Sequence, residues 1–217
     1  MGTAGTTAER SDVPRLRADA SRNRERIVAA AREAFVEYGA EVTLDQIARR
    51  AGVGNATVYR HFADRSELIR QVTLEIMNRI VDLAESALAE SPDAFEALQR
   101  FVHGAAGERI GALCSIMSDG YELIAAELAE KRTRLERALE DIMDQARGSG
   151  LLRPDVTAGD ILIALPQLTR PLPGTACLNL DRFVDRHLQL FLDGLRAPGH
   201  SILPGTAATF EDLQRHH

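Results

Sequence analysis

Several residue types are scarce in this chain of 217 residues, and each scarcity narrows the choice of fold. Tryptophan is absent and aromatic residues make up only 5% of the sequence, whereas alanine and leucine are abundant. Because alanine and leucine favour helices and aromatic residues favour strands, the composition predicts an all-α fold. No apolar run reaches the roughly 18 residues that a membrane-spanning helix requires, so we expect no membrane partner.

Cysteine is scarce as well. Cys114 and Cys177 belong to no CxxC motif and to no Cys/His cluster, so the sequence predicts no metal site and no cofactor. Residues 1–21 lack the apolar segment of a signal peptide, and we therefore expect a cytoplasmic protein with free thiols. Buried structural thiols and a redox-sensing pair are both compatible with these positions.

The motifs of common enzyme active sites are also missing. The sequence contains no GxSxG motif, no phosphate-binding loop ending in Gly-Lys-Ser/Thr and no HExxH motif. Acidic pairs such as Glu140 and Asp141 lie in highly charged helical segments, where solvation explains them. The sequence therefore does not predict an enzyme.

Charge is distributed unevenly along the chain. The net charge is −6, but residues 1–65 carry 11 Arg and 9 acidic residues, so that the excess of negative charge lies entirely beyond residue 65. Local charge decides whether a surface attracts phosphates, and a basic N-terminal part on an acidic body favours nucleic-acid binding at one surface.

The stretch Thr43–Phe62, TLDQIARRAGVGNATVYRHF, predicts two short helices joined by a turn. Thr43 and Gln46 have the spacing of a capping box. Gly52 ends the first helix at a position where a positive φ is expected. Val58 and Phe62 are four residues apart and face inward. This pattern is typical of a helix-turn-helix, whose second helix enters the major groove of DNA.

The outward side chains of the second helix are the predicted DNA contacts. Asparagine pairs with adenine, arginine with guanine, and the threonine methyl with the thymine methyl, whereas tyrosine and histidine more often hold phosphates. The full predicted set is Thr43, Gly54, Asn55, Thr57, Tyr59, Arg60, His61 and Arg65. An ordinary polar surface helix is the alternative interpretation.

The block Arg24–Leu68 resembles the N-terminal domain of the TetR (tetracycline-repressor-like) family of bacterial transcription regulators. The resemblance lies in the Phe-x-x-x-Gly run at Phe35–Gly39, the Thr-x-x-x-Ile-Ala start, the Gly-Val turn and the Thr-x-Tyr-x-His-Phe end. Gly54 and Asn55 depart from the Ser and Lys of many members, which affects the choice of base or phosphate. The resemblance implies a dimer, an operator with dyad symmetry and a small-molecule inducer site in the C-terminal part.

The helical periodicity and the resemblance together predict about nine helices in two domains. The predicted parts are a flexible arm over residues 1–21, a DNA-binding domain over 22–81, a ligand-binding and dimerisation domain over 82–196, and a flexible tail over 197–217. The first helix is expected from about Arg22 to Tyr38. Arg15, Arg17, Arg22 and Arg24 are placed to reach phosphates or a minor groove.

The C-terminal domain is expected to form the dimer and to hold the ligand. Two late helices have broad apolar faces that predict an intersubunit four-helix bundle, although internal packing of both is the alternative. The predicted interface residues are Ile161, Leu165, Leu168, Phe183, His187, Leu188 and Phe191. The predicted pocket residues are Phe101, His103, Met117, Tyr121, Met143 and Gln167, for which plain core packing is the alternative.

These patterns predict a homodimeric, DNA-binding transcription regulator. We expect a repressor that an unknown small molecule releases from a palindromic operator on double-stranded DNA. The alternatives are a ligand-independent activator or DNA-binding module, and a helical ligand-carrier or interaction protein that does not bind DNA.

Overall fold

A computed structural model of the chain describes residues 12–113, 121–170, 183–199 and 201–209, with side chains from residue 19 onward except those of 40 and 121–124. The helices in these ranges are α1 (Asp12–Tyr38), a 3-10 turn (Gly39–Glu41), α2 (Leu44–Ala51), α3 (Asn55–His61), α4 (Arg65–Ala87), α5 (Ala94–Gly107), α6 (Tyr121–Gly148), α7 (Ala158–Thr169) and α8 (Val184–Leu195). Residues 110–113 are also helical. The predicted all-α fold is confirmed.

The chain divides into two compact units, residues 1–72 and residues 73–217. The boundary lies after residue 72, within α4, whereas the sequence placed it after residue 81 of the same helix. Apolar periodicity continues through this helix without interruption, so it contains no local signal for the boundary.

The helix α1 begins at Asp12, and residues 12–21 are therefore helical. The sequence prediction of a flexible arm was wrong over this stretch. Arginine, leucine and alanine favour a helix here, and Pro14 lies in the first turn, where its missing N–H removes no intrahelical hydrogen bond. The prediction relied on apolar periodicity, which this polar stretch lacks. Residues 1–11 lie outside the described residues.

In the N-terminal unit, α1, α2 and α3 pack around a common apolar core. Its fully buried side chains include Ile27, Phe35, Ile47, Val58 and Phe62. Two arginines of α1 hold the other helices: Arg26 Nη2 donates to the carbonyl of Ala51 at 2.6 Å, and Arg24 Nη1 donates to the carbonyl of His61 at 3.2 Å. Both carbonyls lie at the C-terminal ends of helices, where a cation also offsets the helix dipole.

Gly52 ends α2 in the left-handed conformation, with φ 64° and ψ 35°. A Cβ at this position would lie 2.9 Å from Arg26 Nη2, the atom that donates to Ala51. Gly52→Ala would therefore place a side chain at positive φ and also disturb this hydrogen bond. We expect it to lower the free energy of unfolding by about 1–2 kcal/mol, measured by chemical denaturation.

The matched control for this change is Gly148→Ala. Gly148 is the last residue of α6 and has open space where its Cβ would be. Because alanine favours a helix over glycine by up to about 1 kcal/mol, the control should be neutral or slightly stabilising. A Gly52→Ala protein as stable as the control would contradict the role assigned to Gly52.

In the C-terminal unit, α5 is central and packs against α6, α7 and α8. Phe95, Leu98 and Phe101 of α5 are fully buried. The guanidinium of Arg196 covers the Phe95 ring at 4.1 Å from its centroid. The helix α7 begins with a capping box between Thr157 and Asp160.

The long helix α6 is charged along its exposed side and is tied to α4 there. Arg134 makes two hydrogen bonds to Glu85, at 2.9 and 2.7 Å, and Lys131 Nζ donates to Asn78 at 2.5 Å. Within the described ranges, no helix combines the length and the apolar character needed to cross a bilayer.

Residues 197–199 and 201–209 do not form the flexible tail that the sequence predicted over 197–217. Arg153 Nη2 donates to the carbonyl of Ser201 at 2.8 Å, and the amide of Ala208 donates to Asp160 Oδ1 at 3.0 Å. The Thr157 hydroxyl donates to the carbonyl of Ala208. These partners lie far away along the chain, so local sequence does not indicate that the segment is held. Residues 210–217 lie outside the described residues.

Candidate nucleic-acid interface

The helix α2 begins with a capping box, in which Thr43 is the N-cap residue and stabilises the first turn. The amide of Gln46 donates to Thr43 Oγ1 at 3.3 Å, and the amide of Thr43 donates to Gln46 Oε1 at 2.8 Å. Thr43 is exposed, so it lies at the surface while fixing the start of α2. Its predicted DNA contact is compatible with this position.

The short helix α3 has one buried and one exposed side. Val58 and the following Phe62 are fully buried in the N-terminal unit. Asn55, Tyr59 and Arg60 are exposed, and Thr57 and His61 are partly exposed. Gly54 is the N-cap of α3, with φ −73° and ψ 150°, which is ordinary extended backbone. The buried side anchors a helix whose opposite side carries the predicted DNA contacts.

A surface groove of about 580 Å³ opens beside α3. It is lined by Glu41, Val42, Thr43, Leu44, Asp45, Tyr59 and Arg65. Tyr59 is 55% exposed and is the largest exposed side chain of α3. The groove thus combines a phenol and a guanidinium, which suit phosphates, with two carboxylates, which repel them.

Arg60 is folded back along its own helix. Its Nη2 donates to Thr57 Oγ1 at 3.1 Å, and its Nε donates to the carbonyl of Ala56 at 3.3 Å. These are exposed, weak contacts, so the guanidinium can exchange them for a base or a phosphate at small cost.

Asn55 is hydrogen-bonded to a residue that the sequence analysis did not single out. Its Nδ2 donates to Asp45 Oδ1 at 2.6 Å, across the turn between α2 and α3. Both side chains are exposed. No local motif links two residues ten positions apart, so only the folded turn reveals this pair.

Arg65 and Arg24 each cover an aromatic ring of the N-terminal core. The Arg65 guanidinium lies 5.5 Å from the centroid of Phe35, and that of Arg24 lies 4.7 Å from the centroid of Phe62. Such cation–π contacts hold the arginine stems against the core. Arg24, which the sequence placed within reach of phosphates or a minor groove, contacts His61 and Phe62 and supports α3. Arg15 and Arg17 have side chains outside the described residues.

Glu67 completes this support at the start of α4. Arg24 Nη2 lies 3.9 Å from Glu67 Oε1, and Arg70 makes hydrogen bonds of 2.7 and 2.9 Å to the same carboxylate. The Arg70 guanidinium holds the pKa of Glu67 below its ordinary value. The carboxylate therefore stays charged and continues to orient Arg24.

Four of the six predicted pocket residues, Phe101, His103, Met143 and Gln167, have described side chains. Phe101 and Met143 are buried. His103 is partly exposed, with Nδ1 3.8 Å from Asp185 Oδ1. Gln167 is exposed on α7, so its predicted place inside a pocket is not met within the protomer. Met117 and the side chain of Tyr121 lie outside the described residues.

Three of the seven predicted interface residues belong to the protomer's own core. Ile161, Leu165 and Leu188 are buried because α7 and α8 turn these sides toward α5 and toward each other. His187 and Phe183 are exposed, and Leu168 and Phe191 are partly exposed. Ile163 and Leu190, which are not among the predicted interface residues, are 42% and 58% exposed. We call Ile163, Leu168, Phe183, Leu190 and Phe191 the outer apolar residues.

Two family models match successive parts of the chain. Residues 27–72 match the model for bacterial regulatory proteins of the tetR family. Residues 91–197 match the model for the C-terminal domain of SbtR-like transcriptional regulators. The first match contains the whole helix-turn-helix, and the second contains α5 to α8.

Solved and curated relatives agree with these matches. The TetR transcriptional regulator SCO0520 from Streptomyces coelicolor is 32% identical, with a TM-score of 0.60 over 81% of this chain and 99% of that chain. The regulator LfrR from Mycobacterium smegmatis, solved in complex with proflavine, has the same fold at 19% identity, with a TM-score of 0.58 over 84% of this chain and 99% of its own.

Among curated proteins, the HTH-type transcriptional regulator SAB2452 from Staphylococcus aureus is 39% identical over 67 residues, which are 30% of this chain and 36% of that protein. The chain thus spans about a third of the length of the curated relatives it matches. SCO0520, by contrast, is matched over nearly its whole length. The chain therefore belongs to the TetR family of bacterial regulatory proteins and is a DNA-binding transcription regulator.

Proposed function

We propose that the protein is a repressor that binds a palindromic operator as a two-fold dimer and leaves it when a small molecule binds the C-terminal unit. The observation that carries this proposal is the exposed side of α3. Val58 of α3 and the following Phe62 are buried and fix the helix to the N-terminal core, while Tyr59 and Asn55 remain accessible. A rigid helix with polar side chains on its outer side suits the major groove.

The dimer is proposed from the outer apolar residues of α7 and α8. Exposed leucine, isoleucine and phenylalanine on two adjacent helices are typical of an interface between copies of one chain. A two-fold dimer presents two copies of α3 to half-sites roughly 34–36 Å apart, about one turn of DNA, which requires a palindromic operator.

Release by a small molecule is proposed for the region around α5 and α6. Phe101 and Met143 lie buried there, with His103 at the edge. The proflavine complex of LfrR supports an effector site in a protein of this fold. The coupling required is about 1–3 kcal/mol, which changes operator affinity by roughly 5- to 150-fold.

Replacement of Tyr59 by alanine tests the DNA interface. We expect Tyr59→Ala to weaken operator binding by roughly 10- to 150-fold, because hydrogen bonds to charged phosphates contribute about 1.5–3 kcal/mol. Dimerisation and melting temperature should not change, since the side chain is 55% exposed. The measurement is a footprint on DNA flanking the protein's own gene, followed by titration of the protected fragment.

Tyr38→Ala is the matched control. Tyr38 is 57% exposed, like Tyr59, but it lies at the C-terminal end of α1. Its loss should leave operator affinity unchanged. Equal effects of the two substitutions would contradict the assignment of α3, and a wild-type protein that protects no DNA would favour the carrier or interaction protein. Repeating the footprint with candidate effectors tests release.

A further inference from the structure

The pair Asp45–Asn55 places a carboxylate on the surface that we assign to DNA. Asp45 lies in the first turn of α2 and Asn55 is the first residue of α3. The 2.6 Å distance between Asn55 Nδ2 and Asp45 Oδ1 is short, as expected for a hydrogen bond to a charged acceptor. A negative charge here opposes phosphate binding, so its presence calls for a separate role.

The chemistry of the two side chains indicates that role. An asparagine amide has two donor hydrogens on nitrogen and an acceptor oxygen, and both orientations of the amide are normally open to an exposed side chain. A carboxylate only accepts, so Asp45 fixes the Asn55 nitrogen toward itself. One N–H is then used, while the second N–H and Oδ1 remain. That donor and acceptor match N7 and the N6 amino group of adenine in the major groove.

We propose that Asp45 is a specificity-determining residue that holds the Asn55 amide in the orientation that reads adenine in each operator half-site. The inference rests on the proposed operator binding. Asp45 acts through Asn55 and is a positioning residue, while its own charge lowers the affinity for DNA of any sequence. Asp45 then improves discrimination between operator and other DNA in two ways. It pre-orients Asn55 for adenine, and its charge weakens binding to sequences that lack the adenine.

A second carboxylate separates positioning from charge. Glu41 lines the same groove as Asp45 and is exposed. Glu41→Ala removes one negative charge near the interface and leaves the Asp45–Asn55 hydrogen bond intact. Asp45→Asn removes the charge and faces Asn55 with an amide that can either accept or donate, so it fixes the Asn55 orientation only partly. Asp45→Ala removes both the charge and the acceptor.

The experiment compares wild type with Asp45→Ala, Asp45→Asn, Glu41→Ala and Asn55→Ala. Each protein is used to select operators from a library of randomised half-sites. Each is then titrated at one salt concentration with the wild-type operator and with a copy whose selected adenine is replaced in both half-sites. Melting curves confirm that each variant is folded.

Wild type should prefer the adenine operator by about 5- to 150-fold per half-site, the discrimination of one bidentate contact. Asp45→Ala and Asn55→Ala should reduce that preference by roughly tenfold. Glu41→Ala should retain most of it, and Asp45→Asn should fall between the wild type and Asp45→Ala, because its amide accepts from Asn55 in only one of two orientations. On the operator that lacks the adenine, all three variants that lose a carboxylate should bind more tightly, by roughly two- to fivefold per half-site, as expected for one exposed charge.

Two results would overturn the inference while leaving operator binding intact. One is that Asn55→Ala selects the same operator motif as the wild-type protein. The other is an adenine preference that Asp45→Ala retains, or that Glu41→Ala loses as fully as Asp45→Ala. If wild type selects no motif at all, the proposed function fails and the inference fails with it.

Discussion

Leu190→Asp should convert the dimer into monomers and abolish operator binding at concentrations that saturate the wild-type protein. Leu190 is 58% exposed in the protomer and lies on α8. If the outer apolar residues meet a second copy, dimerisation would bury two aspartates without a partner. An unpaired buried charge costs several kcal/mol, so the dimer dissociation constant should rise by at least about 100-fold.

Ile202→Asp is the control for this prediction. Ile202 is 96% exposed and lies in residues 201–209, outside α7 and α8. Adding the same charge there should leave both the dimer and operator binding unchanged. Sedimentation velocity gives the oligomeric state and a fluorescence titration gives the operator affinity. A Leu190→Asp protein that remains dimeric would show that the copies associate through another surface.

Phe62→Ala should destabilise the N-terminal unit by about 3–5 kcal/mol, the usual cost of emptying a fully buried phenylalanine site. Phe62 has no exposed surface, and its ring lies under the Arg24 guanidinium at 4.7 Å. The same arginine donates to the carbonyl of His61, so loss of the ring also loosens the C-terminal end of α3. We expect operator binding to fall because α3 is no longer held.

Amide hydrogen exchange distinguishes this effect from a lost DNA contact. In Phe62→Ala, the amides of α1, α2 and α3 should exchange faster, by up to about a thousandfold for 4 kcal/mol. Tyr59→Ala should lose operator affinity with exchange unchanged, because its side chain is exposed. Normal protection of α3 in Phe62→Ala would mean that the core repacks around the missing ring.

The helix-turn-helix was predictable because each of its signals is local. The Thr43 capping box and the left-handed Gly52 lie where the sequence placed them. Val58 and Phe62 are buried as their spacing predicted. In each case the residues that form the feature are within four positions of one another, so a short stretch of sequence contains the whole physical cause.

The errors arose where partners are distant along the chain. Burial of Ile161, Leu165 and Leu188 depends on how α7 and α8 turn against α5, which apolar periodicity alone does not determine. The sequence predicted a flexible tail from residue 197 onward, yet the carbonyl of Ser201 and the amide of Ala208 bond to Arg153 and Asp160. The start of α1 was missed for another reason, since that stretch is helical without an apolar face.

By itself, the sequence determined the helical content, the helix-turn-helix and the membership of the TetR family that this motif indicated. Helix propensity, capping and turn geometry act over a few residues, so each is contained in a short stretch of sequence. The tertiary structure alone decided which apolar faces remain outside, that Arg24 supports α3 and that Asp45 holds Asn55. These contacts join helices, and their existence depends on how the helices pack in three dimensions and not on the spacing of residues along the chain.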